Sequence, residues 1–163
     1  MTNIVLVGMP GSGKSTVGLA LSKMTGREII DVDAEIVKKA GRSIPEIFAA
    51  SGEAEFRRLE REVTAGAGRE SGKIIITGGG VVKDEQNYPS LHQNGRIYHL
   101  MRDPALLPRE GRPLSEKADL EAMFRERLPL YERFRDAAID NNSGTPGETA
   151  AAIWRDFHEH SGD

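Results

Sequence analysis

Short unbroken apolar runs alternate with longer stretches in which apolar residues recur every three or four positions. Asn3–Val7 (NIVLV), Lys73–Thr77 (KIIIT) and Arg96–Met101 (RIYHLM) are runs of the first kind. The first two are closed by glycine. Runs this short and this continuously apolar suit strands buried on both faces, as in a parallel sheet. Glu28–Ile30 reads as another strand, leading into Asp31-Val32-Asp33, and Ala137–Asp140 as a fifth. Between them the period changes to that of a helix. Lys14–Met24 places Val17, Leu21 and Met24 on one face, with Gly26 as the stop. Ala34–Glu70 is helical with breaks near Gly41, Pro45 and Ser51-Gly52. A loop rich in proline, arginine and glycine covers Pro104–Ser115, followed by a helix from about Ala118 to Phe134. A last helix, Gly147–His158, is anchored by Ile153, Trp154 and Phe157. Strands alternating with helices predict an α/β protein whose mostly parallel sheet is covered on both faces. With no repeat or linker, the 163 residues read as one domain, 1–163.

The first strand runs directly into Gly8-Met9-Pro10-Gly11-Ser12-Gly13-Lys14-Ser15-Thr16, which fits G-x-x-x-x-G-K-[ST] without a gap. It sits after a strand and before a helix, the context that confirms a phosphate-binding loop over a chance glycine-rich turn. Backbone N–H groups of Gly11, Ser12, Gly13 and the residues after them can wrap a phosphate, and the helix N-terminus adds positive potential. Lys14 can reach the outer phosphates, and the Ser15 hydroxyl can ligate Mg²⁺.

Charge narrows the field. The formal net charge is −3 and the isoelectric point about 5.9, against a general nucleic-acid binder, which shows a basic excess. There is no cysteine, hence no disulfide and no thiolate metal site. The apolar run Ile4–Val7 is too short for a signal peptide, and no segment approaches the ~20 apolar residues of a membrane span. A soluble cytoplasmic protein is expected. A GTPase would carry N-K-x-D after a strand; Glu116-Lys117-Ala118-Asp119 has glutamate for asparagine and follows no strand. A small kinase or a non-catalytic nucleotide-binding module remains, and an acceptor site separates them.

Asp31 and Asp33 follow the second strand, and ligands in open α/β sheets gather beyond strand carboxyl ends. One could hold the waters of Mg²⁺ and the other meet an acceptor hydroxyl. A helix cap at Ala34 accounts equally well for one of the pair. Arg57 and Glu60 are three apart on a helix, so Glu60 can hold the guanidinium ready for bidentate capture of a carboxylate, although a solvated ion pair would look the same. Gly78-Gly79-Gly80 lets backbone N–H groups approach a ligand. The four histidines, His92, His99, His158 and His160, show no metal spacing and read as structural or surface residues.

Together these pieces resemble the shikimate kinase family. The match consists of GMPGSGKST, Asp31-Val32-Asp33, GRSIPEIF (41–48), GEAEFRRLE (52–60), TGGGVV (77–82), GRPL (111–114), RLPLYE (127–132) and IDNNSGTP (139–146). The resemblance implies a three-layer α/β/α P-loop kinase fold with a five-stranded parallel sheet of order 2-3-1-4-5. It also implies a short lid at about 104–117 and a shikimate-binding helical region at about 32–61. The implied reaction is phosphorylation of the shikimate 3-hydroxyl by ATP with Mg²⁺, by a monomer. By position, Lys14 would contact the transferred phosphate, Ser15 the metal, and Asp31 the metal through water. Asp33 would bind the acceptor hydroxyls. Arg57 and Arg127 would hold the carboxylate with Gly78, Gly79 and Gly80, with Glu60 behind Arg57 and Phe48 and Phe56 along the ring. Arg112, with Arg109 as a second lid arginine, would close over the phosphates. Adenine would meet backbone and apolar groups of Asn142–Pro146, Pro146 included. A gluconate- or nucleoside-monophosphate-type kinase is the alternative within enzymes, and a nucleotide-binding regulator the alternative outside them.

Overall fold

The computed structural model describes residues 1–107 and the backbone of 114–161, with side chains from 119 onward in the second stretch. Its elements run β1 (Asn3–Val7), α1 (Lys14–Thr25), β2 (Ile29–Asp31), α2 (Val32–Ala40), α3 (Ile44–Gly68), β3 (Ile74–Ile76), α4 (Asn87–His92), β4 (Gly95–Met101), α5 (Leu114–Phe134), β5 (Ala137–Asp140) and α6 (Pro146–Ser161). The five strands form one parallel sheet of order β2-β3-β1-β4-β5.

The continuous apolar runs are explained by the two cores. Val5 and Val7 face a layer that includes Ile36, Ile47, Leu59 and Tyr131, brought by α2, α3 and α5. Ile4 and Leu6 face the opposite layer, with Val17, Leu21, Ile153 and Phe157 from α1 and α6. Successive strand residues point to opposite faces, so a strand covered twice must be apolar at every position. Because β3 lies on one side of β1 and β4 on the other, the strand order reverses at β1. The crevice beyond its carboxyl end is where this architecture places a ligand.

Local signals set most boundaries. Gly26 and Gly41 end α1 and α2 in left-handed conformation. Ser43 and Glu46 form a reciprocal capping box at the start of α3, with Pro45 in its first turn. The break expected at Ser51-Gly52 is a kink within α3, where Gly52 takes φ 82° and ψ 175°. Three expectations need correction. The second helix begins at Val32, two residues before Ala34, because Asp31 is its cap. Met24, expected on the core face of α1, is 45% exposed, since α1 rotates it away from the layer that takes Val17 and Leu21. The segment after Gly80 carries a 3₁₀ turn, Val81–Lys83, and the six-residue α4, both too short to show a period in the sequence. Trp154 stacks on Phe157 with ring centroids 5.7 Å apart, a packing role as read.

Candidate active site

The phosphate loop is held in shape by glycine conformations and by a clamp from the far edge of the sheet. Gly11 and Gly13 have φ of 79° and 100°, values that a side chain disfavours. Asn141, just past β5, donates from Nδ2 to the Ser12 carbonyl at 2.7 Å and accepts from Thr149 Oγ1 at 2.8 Å. A Cβ on Gly13 would stand 2.6 Å from that Asn141 amide, so the second glycine is demanded by the clamp as well as by φ. Asn141 was not singled out from the sequence: a polar residue after a strand carries no signal until the fold brings it to the loop. Ser15 and Thr16 are exposed on the first turn of α1, and Pro146 is exposed at the first turn of α6.

Lys14 is the buried cation of the loop, 8% exposed, and its ammonium donates to the carbonyls of Gly8 at 2.5 Å and Met9 at 3.1 Å. Burial, reinforced by the Arg127 charge, lowers its pKa to about 8, against the opposing pull of Asp33 and Asp31.

The two carboxylates divide as the fold requires. Asp31 accepts from the Ala34 N–H at 3.1 Å through Oδ1 and is the cap of α2. Asp33, in the first turn of that helix, turns toward the cleft. Its Oδ1 is buried and has no partner among the described residues. Burial raises its pKa, with Asp31 adding to the effect and Lys14 and Arg57 opposing it. Lys14, Ser15, Asp31, Asp33, Thr77 and Gly78 line one cleft of about 330 Å³. A larger cavity of about 520 Å³ lies elsewhere, beside Ile30, Lys39 and Glu62, and contains none of these groups.

The three consecutive glycines each answer a different neighbour. A Cβ on Gly78 would stand 2.7 Å from Asp33 Oδ1, one on Gly79 2.6 Å from Pro10 Cδ, and one on Gly80 2.5 Å from Arg57 Nη2. The turn is therefore the floor on which the carboxylate, the phosphate loop and the guanidinium converge. Arg57 Nη1 donates to Glu60 Oε1 at 2.9 Å, and its Nε and Nη2 reach Glu53 Oε2 at 3.4 Å. Glu60 is fully buried, with its pKa raised by burial against the Arg57 pair, so it positions the guanidinium and does not itself face the cleft. Phe56 packs under Arg57, 5.1 Å from its guanidinium carbon, and Phe48, 37% exposed, leans on Phe56 at 4.8 Å between centroids. From α5, the Arg127 charge works against the burial that raises the Tyr131 pKa, and it disfavours the charge on Lys14. Arg109 and Arg112 lie outside the described residues. His99 is buried in the core, as a structural histidine.

The depressed Lys14 pKa has a measurable consequence. At pH 8.5 much of the buried amine in the free protein is neutral, whereas bound phosphate anions favour the ammonium. Nucleotide binding at pH 8.5 is therefore expected to take up a fraction of a proton, and at pH 6.5 none through Lys14. Calorimetry in two buffers of different ionisation enthalpy reads this directly; a binding heat independent of buffer at pH 8.5 would show that Lys14 is already fully charged.

A family model for shikimate kinase matches residues 10–158. The shikimate kinase of Thermobifida fusca is 37% identical over 160 residues, covering 94% of this chain and 93% of that protein. That of Mycobacterium ulcerans is 40% identical over 157 residues, covering 91% of this chain and 85% of its own length. Among solved structures, the shikimate kinase from Acinetobacter baumannii in complex with shikimate aligns with a TM-score of 0.90 and 32% identity, over 98% of this chain and 94% of that one.

Proposed function

The chain belongs to the shikimate kinase family, and on that premise we propose that it transfers the terminal phosphoryl group of ATP to the 3-hydroxyl of shikimate. The observation that carries this reading is the Asp33 carboxylate, buried with Oδ1 unpartnered among the described residues and within electrostatic reach of both Lys14 and Arg57. An acceptor hydroxyl would donate to that oxygen. The carboxylate of the same ring would pair with Arg57 and Arg127 beside the Gly78–Gly80 turn. The phosphates of ATP would take Lys14 from the carbonyls of Gly8 and Met9 and lie over the loop from Gly11 to Thr16, with the adenine against Asn142–Pro146. Phosphoryl transfer asks for little covalent chemistry, so alignment and charge supply most of the acceleration. Asp33 orients the hydroxyl and receives its proton as the new P–O bond forms.

The donor set suits Mg²⁺. The Ser15 hydroxyl and the carboxylates of Asp31 and Asp33 line the same cleft, all hard oxygen donors. Among the described residues no cluster of three acidic or histidine groups forms a cage, which fits a metal that also leans on phosphate and water. When bound, Mg²⁺ neutralises phosphate charge; Ser15 would hold it directly, and Asp31 through water from the oxygen left over by its cap. The roles of Arg112 and Arg109 in a lid rest on their positions in the sequence. We take it to act as a monomer, as expected from the sequence. Among the described residues no helix is long and apolar enough to cross a membrane. We place the enzyme in the cytoplasm, where ATP is available.

The test is ADP release measured with shikimate, quinate, gluconate and nucleoside monophosphates in parallel. Shikimate is expected to stimulate turnover far above the others. Equal stimulation by any of them would remove the assignment of shikimate and leave a small-molecule kinase of broader choice.

A further inference from the structure

Arg127 and Tyr131 are four apart and share one face of α5, and Arg135 follows its last residue, Phe134. Between the two arginines, the Tyr131 hydroxyl donates to the Gly79 carbonyl at 2.6 Å. Arg127, one turn earlier on the same helix face, lies close enough for its charge to act on the phenol against burial. The hydroxyl has a single proton, and it goes to Gly79, which leaves the oxygen lone pairs toward the Arg127 charge. That direction is unambiguous as long as the phenol stays protonated, and burial pushes its pKa up to about 12. Behind the ring, His99 stacks on Tyr131 with centroids 4.6 Å apart, and Arg135 Nη1 lies 3.3 Å from His99 Nδ1. Arg135 can only donate, so Nδ1 is an acceptor there and the imidazole is neutral. Burial and the Arg135 charge hold it so, with a pKa lowered to about 4.

The bond to Gly79 reaches further than one carbonyl. The peptide unit is planar and trans, so its C=O and N–H point in opposite directions. Fixing the Gly79 oxygen fixes the direction of the Gly80 N–H, in the residue on which the Arg57 guanidinium rests. Among the described residues neither the Gly79 nor the Gly80 N–H donates to a protein acceptor. The Gly78 carbonyl accepts from the Val81 N–H at 3.1 Å across this turn, but among the described residues the bond from Tyr131 is the one made to the Gly79–Gly80 peptide itself, in glycines with no Cβ to restrain it. In the sequence Tyr131 stands only within RLPLYE, with nothing local to give it a role.

We infer that Tyr131 is a positioning residue for the acceptor's carboxylate, setting the Gly79–Gly80 peptide through its hydroxyl on the helix face that also carries Arg127. The inference rests on the substrate reading above and adds to it a residue that touches neither substrate. Tyr131→Phe is the clean variant, because it keeps the ring and its stack on His99 and deletes the oxygen alone. One neutral hydrogen bond contributes about 0.5–1.5 kcal/mol net, so shikimate Kd is expected to rise about 3- to 10-fold. The Kd for ATP should stay at its wild-type value, and kcat at saturating shikimate should change little, because Lys14 and Asp33 are untouched.

The experiment is calorimetric titration of wild type and Tyr131→Phe with shikimate and, separately, with a non-hydrolysable ATP analogue, alongside steady-state kinetics and thermal melting. A higher shikimate Kd with nucleotide affinity unchanged supports the inference. A lower melting temperature with both affinities unchanged overturns it, since the hydroxyl would then be structural only. Equal weakening of both ligands also overturns it. Wild-type protein that fails to bind shikimate counts against the substrate reading itself and removes this inference with it.

Discussion

Asp33→Asn is expected to lose about 10²- to 10⁴-fold in kcat, the range for a positioned group that takes a proton in the transition state. The amide keeps the size of the carboxylate, so the space left beside it by the missing Cβ of Gly78 still suffices. It cannot accept the proton of the acceptor hydroxyl. A second loss compounds the first. Asp33 is the leading influence that raises the Lys14 pKa against burial, so its neutralisation pushes Lys14 below its value of about 8. The alkaline limb of the variant's pH profile should accordingly move to lower pH than that of the wild type. Stability should move the other way. Burial raises the Asp33 pKa above its unfolded value, so between the two the folded state binds more protons than the unfolded state. Stability conferred at low pH is then lost as pH rises through that window, and at neutral pH the ionised carboxylate is a net cost. Asp33→Asn at pH 7 should melt at or above the wild-type temperature while turning over far more slowly. Steady-state kinetics from pH 6 to 9 with parallel melting curves check both halves. Wild-type kcat in the variant would reduce Asp33 to a first-turn residue of α2 with no chemical role.

Lys14→Met is expected to lose on the order of 10³-fold in kcat, comparable with the removal of other cations that meet charge on a transferred phosphoryl group. The side chain is almost enclosed, and methionine fills most of its volume without its charge. Two carbonyls, of Gly8 and Met9, lose their donor. Against that, a buried ammonium whose charge is disfavoured is removed. The sign follows from the lowered pKa: between about 8 and the unfolded value of 10.5 the unfolded chain binds the extra proton, so wild-type stability rises with pH there. Lys14→Met should not show that rise. Its shikimate affinity should remain close to wild type, since Arg57 and its partners Glu53 and Glu60 are untouched. The measurements are kcat, shikimate binding, and denaturant stability at pH 7 and pH 9.5. A variant within tenfold of wild-type kcat would show that the loop's backbone and helix terminus hold the phosphates without Lys14.

Much of this was written in the order of residues along the chain. NIVLV and KIIIT are apolar at every position because both faces of the sheet are covered, so the strands and the α/β class follow from pattern alone. GMPGSGKST carries its own geometry, since φ at Gly11 and Gly13 is a local demand and the helix begins at the lysine. The pairing of Arg57 with Glu60 is a matter of spacing on one helix, and it is present. The motif order extended that reading to the order of the strands.

The sequence could not separate the roles of Asp31 and Asp33, two residues apart in identical chemistry. The start of α2 at Val32 decided it, by turning Asp31 into the cap and Asp33 toward the cleft. Spacing placed Glu60 behind Arg57 but could not show that it is fully buried, because burial is a property of the packed layer. Gly78-Gly79-Gly80 looked like a turn left open for a ligand. Folded, each glycine is also required by a different neighbour, drawn from α2, the phosphate loop and α3. Asn141 reaches Ser12 across 129 positions, and Tyr131 reaches Gly79 across 52. Contacts at such separations leave no mark in any window of sequence. A local conformation answers to its own few residues and is legible in them, whereas a hydrogen bond between distant segments exists only once the sheet has set their register.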